Sequence, residues 1–136
     1  MQFFFNLLYH PFAFTYDLVA AIVSFGHWKD WGMTVLPFIK GVRILELGHG
    51  PGHLQRILLA QPPVGNLKID SVAIDESAQM GTLAKSRLGN SHKLTRGLAQ
   101  HLPFQNNSFD TVVATFPTDY IFKADTLSEI SRCLSD

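Results

Sequence analysis

Three glycines at alternate positions carry the strongest chemical signal in the chain. Gly48, Gly50 and Gly52 follow a short apolar run, and Glu46 stands two residues before the first of them. Glycine lets a backbone turn sharply and approach a ligand without obstruction from a Cβ atom. The helix expected after the turn directs its free amide groups to the same place. The pattern predicts a ligand-binding loop, with a carboxylate that offsets positive charge or anchors the amides of the loop.

The spacing of the glycines distinguishes this loop from other glycine-rich ligand loops. The dinucleotide fingerprint G-x-G-x-x-G lacks its third glycine in both registers, where His53 and Gln55 stand instead. No Gly-Lys-Ser/Thr follows, as a phosphate-binding P-loop requires. An NAD-dependent oxidoreductase is therefore a disfavoured alternative. We expect His49, inside the loop, to line the pocket, and we expect no metal site because no third ligand accompanies His49 and His53.

A second acidic side chain, Asp75, ends the next apolar run along the chain. It stands roughly twenty residues after the glycines in the sequence. At about this separation, nucleotide-binding folds have an acid that accepts hydrogen bonds from the hydroxyls of a bound ribose. A lone acid in this place is more often only a helix cap, and Ser77 is suited to share that task. Together with the glycine loop, however, Asp75 favours a nucleoside-binding site.

The elements that position these residues alternate between strand and helix periodicity. Two helices come first, followed by the order β-α-β-α-β-loop-β-α, and Thr126 and Glu129 have the spacing of a capping box for the last helix. Such alternation predicts an α/β fold with a mostly parallel sheet and helices on both faces. Ligands bind outside the carboxyl ends of such strands, where the strand order reverses. The predicted strands are residues 42–47, 69–75, 92–94 and 109–115.

These motifs resemble those of the class I S-adenosylmethionine (SAM) dependent methyltransferases. The acidic-x-Gly-x-Gly-x-Gly sequence at residues 46–52 is similar to the first motif of that family, and residues 71–80 are similar to the second. Residues 101–113, with Leu-Pro-Phe and Ser-Phe-Asp, resemble the segment that enters the fourth strand. Residues 14–17 and 24–31 look like the entry helices of the ubiquinone and menaquinone biosynthesis methyltransferases.

The resemblance implies a Rossmann-like fold with strand order 3-2-1-4, SAM as cofactor and methyl transfer to a small-molecule acceptor. It implies that Asp75, with Glu76 beside it, holds the ribose and that Met80 lies near the adenine. It also implies that Tyr16 lies over the cofactor.

Further site residues are predicted where the chain differs from the family motifs and where residues follow the fourth strand. The family usually has an acid where this chain has Leu98, so we expect Leu98 and Ala99 to reach the adenine through backbone groups. Phe116 and Tyr120 follow the fourth strand, and we expect them to line the acceptor side. The sequence identifies no catalytic base.

Composition narrows the choice of partners. The chain has 11 basic and 11 acidic residues, without the basic excess typical of a nucleic-acid binder. The single cysteine, Cys133, cannot form an internal disulfide, and no apolar run reaches the ~20 residues that a membrane-spanning helix needs. We therefore expect a cytoplasmic protein with no transmembrane segment and no nucleic-acid partner.

The resemblance also implies a chain that ends before the last strands of the family fold. We expect one domain, with residues 1–40 as an N-terminal helical cap and residues 41–136 as an incomplete Rossmann-like core. Three alternatives remain open: a fragment, a homo-oligomer in which another copy covers the exposed edge of the fourth strand, or a rearranged fold. A non-catalytic SAM-binding module is the main alternative to an enzyme.

Overall fold

The computed structural model of the chain describes residues 28–114 and 118–136. The first elements in this part are helix α1 (Trp28–Val35) and a short 3-10 helix (Leu36–Phe38). The predicted first helix lies outside the described residues, and so do two predicted site residues, Tyr16 and Phe116.

A parallel sheet of four strands forms the centre of the described structure. Its strands are β1 (Arg43–Leu47), β2 (Asp70–Asp75), β3 (Lys93–Arg96) and β4 (Thr111–Val113). All three pairings are parallel, and the order across the sheet is β3-β2-β1-β4. The predicted fold class and strand order 3-2-1-4 are confirmed. Because β1 lies between β2 and β4, the strand order reverses at the end of β1, where the glycine loop begins.

Three helices connect or follow the strands. They are α2 (His53–Leu59), α3 (Ala78–Leu88) and α4 (Ala124–Cys133), the last preceded by a 3-10 turn (Asp119–Phe122). In the described part of the chain no helix is long and apolar enough to cross a membrane.

The predicted capping box at the start of α4 is wrong. The helix begins at Ala124 after Lys123, so Thr126 lies inside its first turn, with a buried hydroxyl that has no partner among the described residues. Glu129 instead accepts a hydrogen bond from the Leu102 amide and pairs with Arg132. This pairing holds the pKa of Glu129 at about 2. The Glu129 carboxylate, which the capping box predicted at the start of the helix, is therefore used in the contact with the Leu102 amide.

The two faces of β1 are buried against different helices. Ile44 packs with Leu54 and Leu58 of α2, whereas Leu45 and Leu47 pack in a second cluster that contains Cys133 of α4. Successive side chains of a strand point to opposite faces, so a continuous apolar strand is buried on both. This burial fixes the end of β1, and the glycine loop leaves the core at the exposed Gly48.

The beginning of β1 is fixed by a carboxylate from the entry to β4. Asp110 accepts hydrogen bonds from the amides of Val42 and Arg43 and from the Arg43 guanidinium, which lowers the pKa of Asp110 well below its usual range. Gly41 has φ +71°, and a Cβ atom there would collide with Asp110. This contact links β1 to β4 at the end of the sheet opposite the glycine loop.

Substituting Gly41 by alanine should therefore weaken the fold strongly. We expect Gly41→Ala to lower the free energy of unfolding by about 2–4 kcal/mol, because it combines a left-handed backbone with a steric collision. Gly65→Ala is the matched control, since Gly65 has φ +61° but open space around its Cα. It should cost only about 1 kcal/mol. Urea unfolding of the two variants measures the difference, and equal losses would contradict the steric role of Asp110.

Candidate functional site

The structure brings the glycine loop and Asp75, two parts of the predicted site, into contact. The Gly50 amide donates a hydrogen bond to Asp75 Oδ2 (2.9 Å), and the Ser77 amide donates to Asp75 Oδ1 (2.8 Å). The Gly48 amide still pairs with the carbonyl of Ile74 in β2 (2.8 Å). The carboxylate therefore connects the turn after β1 to the start of α3, while each of its oxygens keeps a lone pair for a further donor.

Gly50 forms an open cradle in this turn. It has φ +52°, and a Cβ atom added to it would meet nothing within 4 Å. None of the described residues therefore fills the space beside this Cα, whose amide contacts the Asp75 carboxylate. This arrangement fits the ribose and the amino-acid part of an adenosyl sulfonium, because the backbone is bare where the ligand passes and an acceptor is present for the hydroxyls.

The other two glycines of the loop have close neighbours. At Gly48 an added Cβ would lie 2.9 Å from the Tyr120 hydroxyl oxygen. At Gly52 it would lie 2.7 Å from a methyl group of Leu88 in α3. Gly48 thus faces the segment after β4, whereas Gly52, at the N-cap of α2, lets the loop backbone lie close to Leu88 of α3.

Glu46 lies beneath the loop and not on its surface. Its side chain is buried on the α2 face of β1, where it accepts a hydrogen bond from Gln55 Nε2 (2.7 Å). Burial raises the pKa of Glu46 to about 8, despite the hydrogen bond from Gln55, which lowers it. A carboxyl group in this state is mostly protonated near pH 7, so in the described structure it supports the loop from below.

Sequence reasoning missed the partner of Glu46. Gln55 is fully buried, with its amide oxygen unpaired among the described residues, although it lies in the first turn of a surface helix. Its buried neighbours on α2 are Leu54 and Leu58. A polar residue beside such an apolar stripe was the available signal that a buried polar partner faces it.

The adenine side of the predicted site is formed by the turns after β2 and β3. The Gly97 amide donates to the carbonyl of Asp75 (3.0 Å), which holds the two turns together. Leu98 is about half exposed, whereas Ala99 is half-buried against the apolar core. Glu76 is exposed, and its carbonyl accepts a hydrogen bond from Arg96 Nε (2.9 Å).

Met80 is the predicted site residue that the structure places in the core. It has no exposed surface, and its amide donates to the Ser77 hydroxyl in the N-cap of α3. In the described structure Met80 therefore supports the start of α3 from inside.

An open cavity of about 280 Å³ adjoins the Asp75 carboxylate on the α3 side. His49 and Ser77 line it near Asp75, and Lys85 and Arg96 line it further out. His49 is itself almost fully buried, and its Nδ1 lies 2.6 Å from the carbonyl oxygen of Gly50. The structure thus places His49 at the edge of this cavity, and its contact with a cofactor stays a prediction. Among the described residues, no group of three or more His, Cys, Asp or Glu side chains has the arrangement of a metal site.

Comparison with known families agrees with the motifs. The methyltransferase domain family model matches residues 44–136. A demethylmenaquinone methyltransferase of Thermotoga maritima is 31% identical over 112 residues, which are 80% of this chain and 47% of that protein. The same-named protein of Lactiplantibacillus plantarum is 30% identical over 136 residues, which are 93% of this chain and 56% of that protein. The chain thus spans about half the length of the curated relatives it matches.

Solved structures share the fold at lower identity. A SAM-dependent methyltransferase of Thermotoga maritima superposes with a TM-score of 0.65 at 21% identity, covering 94% of this chain and 57% of that one. Phosphoethanolamine N-methyltransferase 2 of Haemonchus contortus, in complex with SAM, gives a TM-score of 0.62 at 24% identity. The superposition covers 81% of this chain and 26% of the Haemonchus contortus enzyme. At these identities the similarity establishes the Rossmann-like fold.

The buried position of Glu46 predicts a pH-dependent effect of Glu46→Gln. Because its pKa is raised to about 8, the folded protein keeps this proton to higher pH than the unfolded chain, whose glutamate pKa is about 4.3. Stability from Glu46 is thus complete below pH 4.3 and is lost as the pH rises through the folded value. The glutamine variant cannot ionise. As the pH rises from 5 to 8, its free energy of unfolding should therefore increase by about 1 kcal/mol or more relative to that of the wild type.

Urea unfolding at the two pH values measures this gain. Glu76→Gln is the matched control, because Glu76 belongs to the same site but is exposed. It should show no comparable gain. If both variants respond alike to pH, Glu46 does not hold a buried proton.

Proposed function

This chain belongs to the family of class I SAM-dependent methyltransferases, and from that premise we propose that it binds SAM across the ends of β1 and β2 and transfers the methyl group to a small-molecule acceptor. The observation that carries the proposal is the contact between the Gly50 amide and the Asp75 carboxylate. This contact supports the proposal because it holds the uncovered backbone at Gly50 beside a carboxylate that can accept hydrogen bonds from ribose hydroxyls.

In this proposal each part of the cofactor has its own group of residues. Asp75 accepts hydrogen bonds from the ribose hydroxyls, and Glu76 stands beside it. Gly48 and Gly50 pass under the amino-acid part, and His49 lines the pocket. Glu46 and Met80 support these turns from the core. Leu98 and Ala99 present backbone groups to the adenine. Tyr16 lies over the cofactor, and Phe116 and Tyr120 line the acceptor side.

The cofactor supplies a methyl group on a positively charged sulfur, which keeps the electron pair of the broken bond when the acceptor nucleophile takes the methyl. The protein's contribution is to bind, orient and exclude water. Rigid strand ends suit this task, because the carboxylate and loop amides are already held in place before a ligand arrives.

We infer a small aromatic or apolar acceptor, since the similar proteins named above are demethylmenaquinone methyltransferases. The equal numbers of acidic and basic residues favour such an acceptor over a nucleic acid. A cytoplasmic location, which the single free cysteine fits, and a homo-oligomer are further parts of the proposal.

Calorimetric titration with SAM, S-adenosylhomocysteine (SAH) and NAD tests the proposed ligand. SAM and SAH should bind and NAD should not. Radiolabelled methyl transfer from SAM to a demethylated quinol then separates an enzyme from a module that binds SAM without catalysis. Absence of SAM and SAH binding by the wild-type chain would refute the proposed function.

The carboxylate at the end of β2 gives the sharpest variant. We expect Asp75→Ala to weaken SAM binding by about ten- to a hundredfold, because it removes the acceptor for the ribose and releases the Gly50 amide. Asp70→Ala is the matched control at the other end of β2. The Asp70 side chain forms an exposed ion pair with Lys93, so its loss should change affinity less than twofold. Equal effects of the two variants would exclude Asp75 as the ribose ligand.

A further inference from the structure

Tyr120 occupies the point where β1 and β4 separate. Its hydroxyl oxygen fills the space that a side chain at Gly48 would take, and it lies 3.4 Å from the carbonyl oxygen of Leu47, the last residue of β1. In the register of the sheet, β4 runs beside β1 only as far as Val113, opposite Glu46. The Leu47 carbonyl therefore lies at the end of β1, where the strand order reverses, and the Tyr120 phenol lies against it.

The phenol also lies in a negative field. Burial is the main reason that the pKa of Tyr120 is raised to about 12, and the carboxyl groups of Asp75, Glu46 and Glu76 raise it further. The group thus stays a neutral hydroxyl, which donates to Leu47 and keeps its oxygen lone pairs for another contact. The long hydrogen bond of 3.4 Å leaves the hydroxyl able to adjust to a ligand.

The order of these groups across the sheet puts the phenol and Asp75 on opposite sides of the glycine loop. Asp75 lies at the end of β2, Gly48 and Gly50 follow β1, and Tyr120 lies on the side of β4. In SAM one methylene group separates the sulfur from the ribose ring. With the ribose at Asp75, a sulfonium directed toward β4 would pass the glycine loop on the side where the Tyr120 oxygen lies.

We propose that Tyr120 is a positioning residue whose hydroxyl oxygen contacts the sulfonium side of SAM and favours the charged cofactor over its neutral product SAH. This inference rests on the proposed function, because it assumes that the cleft holds SAM. It gives the chain a means to discriminate between substrate and product forms of the same nucleoside: the two differ by a methyl group and a positive charge, and an oxygen dipole in a negative field interacts with that charge.

The test is the ratio of SAM to SAH affinity in Tyr120→Phe, measured by calorimetry. The variant removes one oxygen and keeps the ring. It should weaken SAM binding by about fivefold, the size expected for the loss of a single polar contact, and change SAH binding less than twofold. Phe122→Leu is the matched control, because Phe122 lies in the same turn but is 84% exposed. It should leave both affinities unchanged.

The outcomes separate this inference from the proposed function. If the wild-type chain binds neither SAM nor SAH, both are overturned. If the wild type binds SAM but Tyr120→Phe weakens SAM and SAH equally, only the inference is overturned, because Tyr120 then merely shapes the pocket. Melting temperatures of both variants check that each is folded.

A second measurement uses the wild-type protein and does not depend on the folding of Tyr120→Phe. The chain has three tyrosines, so protein labelled with 13C at the tyrosine Cζ gives three signals. Tyr9→Phe and Tyr16→Phe identify two of them and leave Tyr120 as the third. The Tyr120 signal should move clearly further with SAM than with SAH, and equal shifts would overturn the proposal.

Discussion

The hydrogen bond from the Gly50 amide to the Asp75 carboxylate joins the turns that follow two adjacent strands. The turn has positive φ at three glycines, and backbone hydrogen bonds from Gly48 to Ile74 and from Gly52 to His49 hold its two ends. The bond to Asp75 fixes its middle. The same carboxylate accepts from the Ser77 amide at the start of α3, so one side chain sets the positions of the glycine loop and the next helix. A ligand that donates to Asp75 therefore meets an acceptor that the protein has already oriented, which reduces the ordering cost of binding. The alternative roles of helix cap and ligand acceptor are consequently compatible at this residue.

Much of this arrangement could be predicted from the sequence because it depends on local patterns. The period of apolar residues identified β1 and β2, and glycine spacing identified the turn between β1 and α2. Parallel strands place their carboxyl ends at one edge, so a loop and an acid that are distant in sequence had to meet there. The strand order followed from the resemblance of the motifs and agrees with the sheet. What these predictions share is that each needs only the type of an element and its direction.

The features that the sequence did not predict depend on contacts between distant side chains. Thr126 and Glu129 have the spacing of a capping box, but Glu129 pairs with Arg132 and the Leu102 amide, and α4 begins two residues earlier than Thr126. Similarly, Glu46 was expected to act on the loop or on ligand charge, whereas its side chain is buried against Gln55. Strand alternation puts Glu46 on the same face as Ile44, toward α2, but only the packed helix shows which polar group meets it.

The buried Glu46 and the Tyr120 hydroxyl both contribute to the distribution of charge around the glycine loop. Asp75 and Glu76 lie on one side of the glycine loop, Glu46 is buried below it, and Tyr120 closes the opposite side with a neutral hydroxyl. A buried carboxyl whose pKa is about 8 carries little charge at neutral pH, so the field over the loop comes mainly from the more exposed acids. The more exposed acids and the phenol oxygen thus face the glycine loop from opposite sides. A positive charge between them would interact more favourably with both than a neutral group of the same shape would.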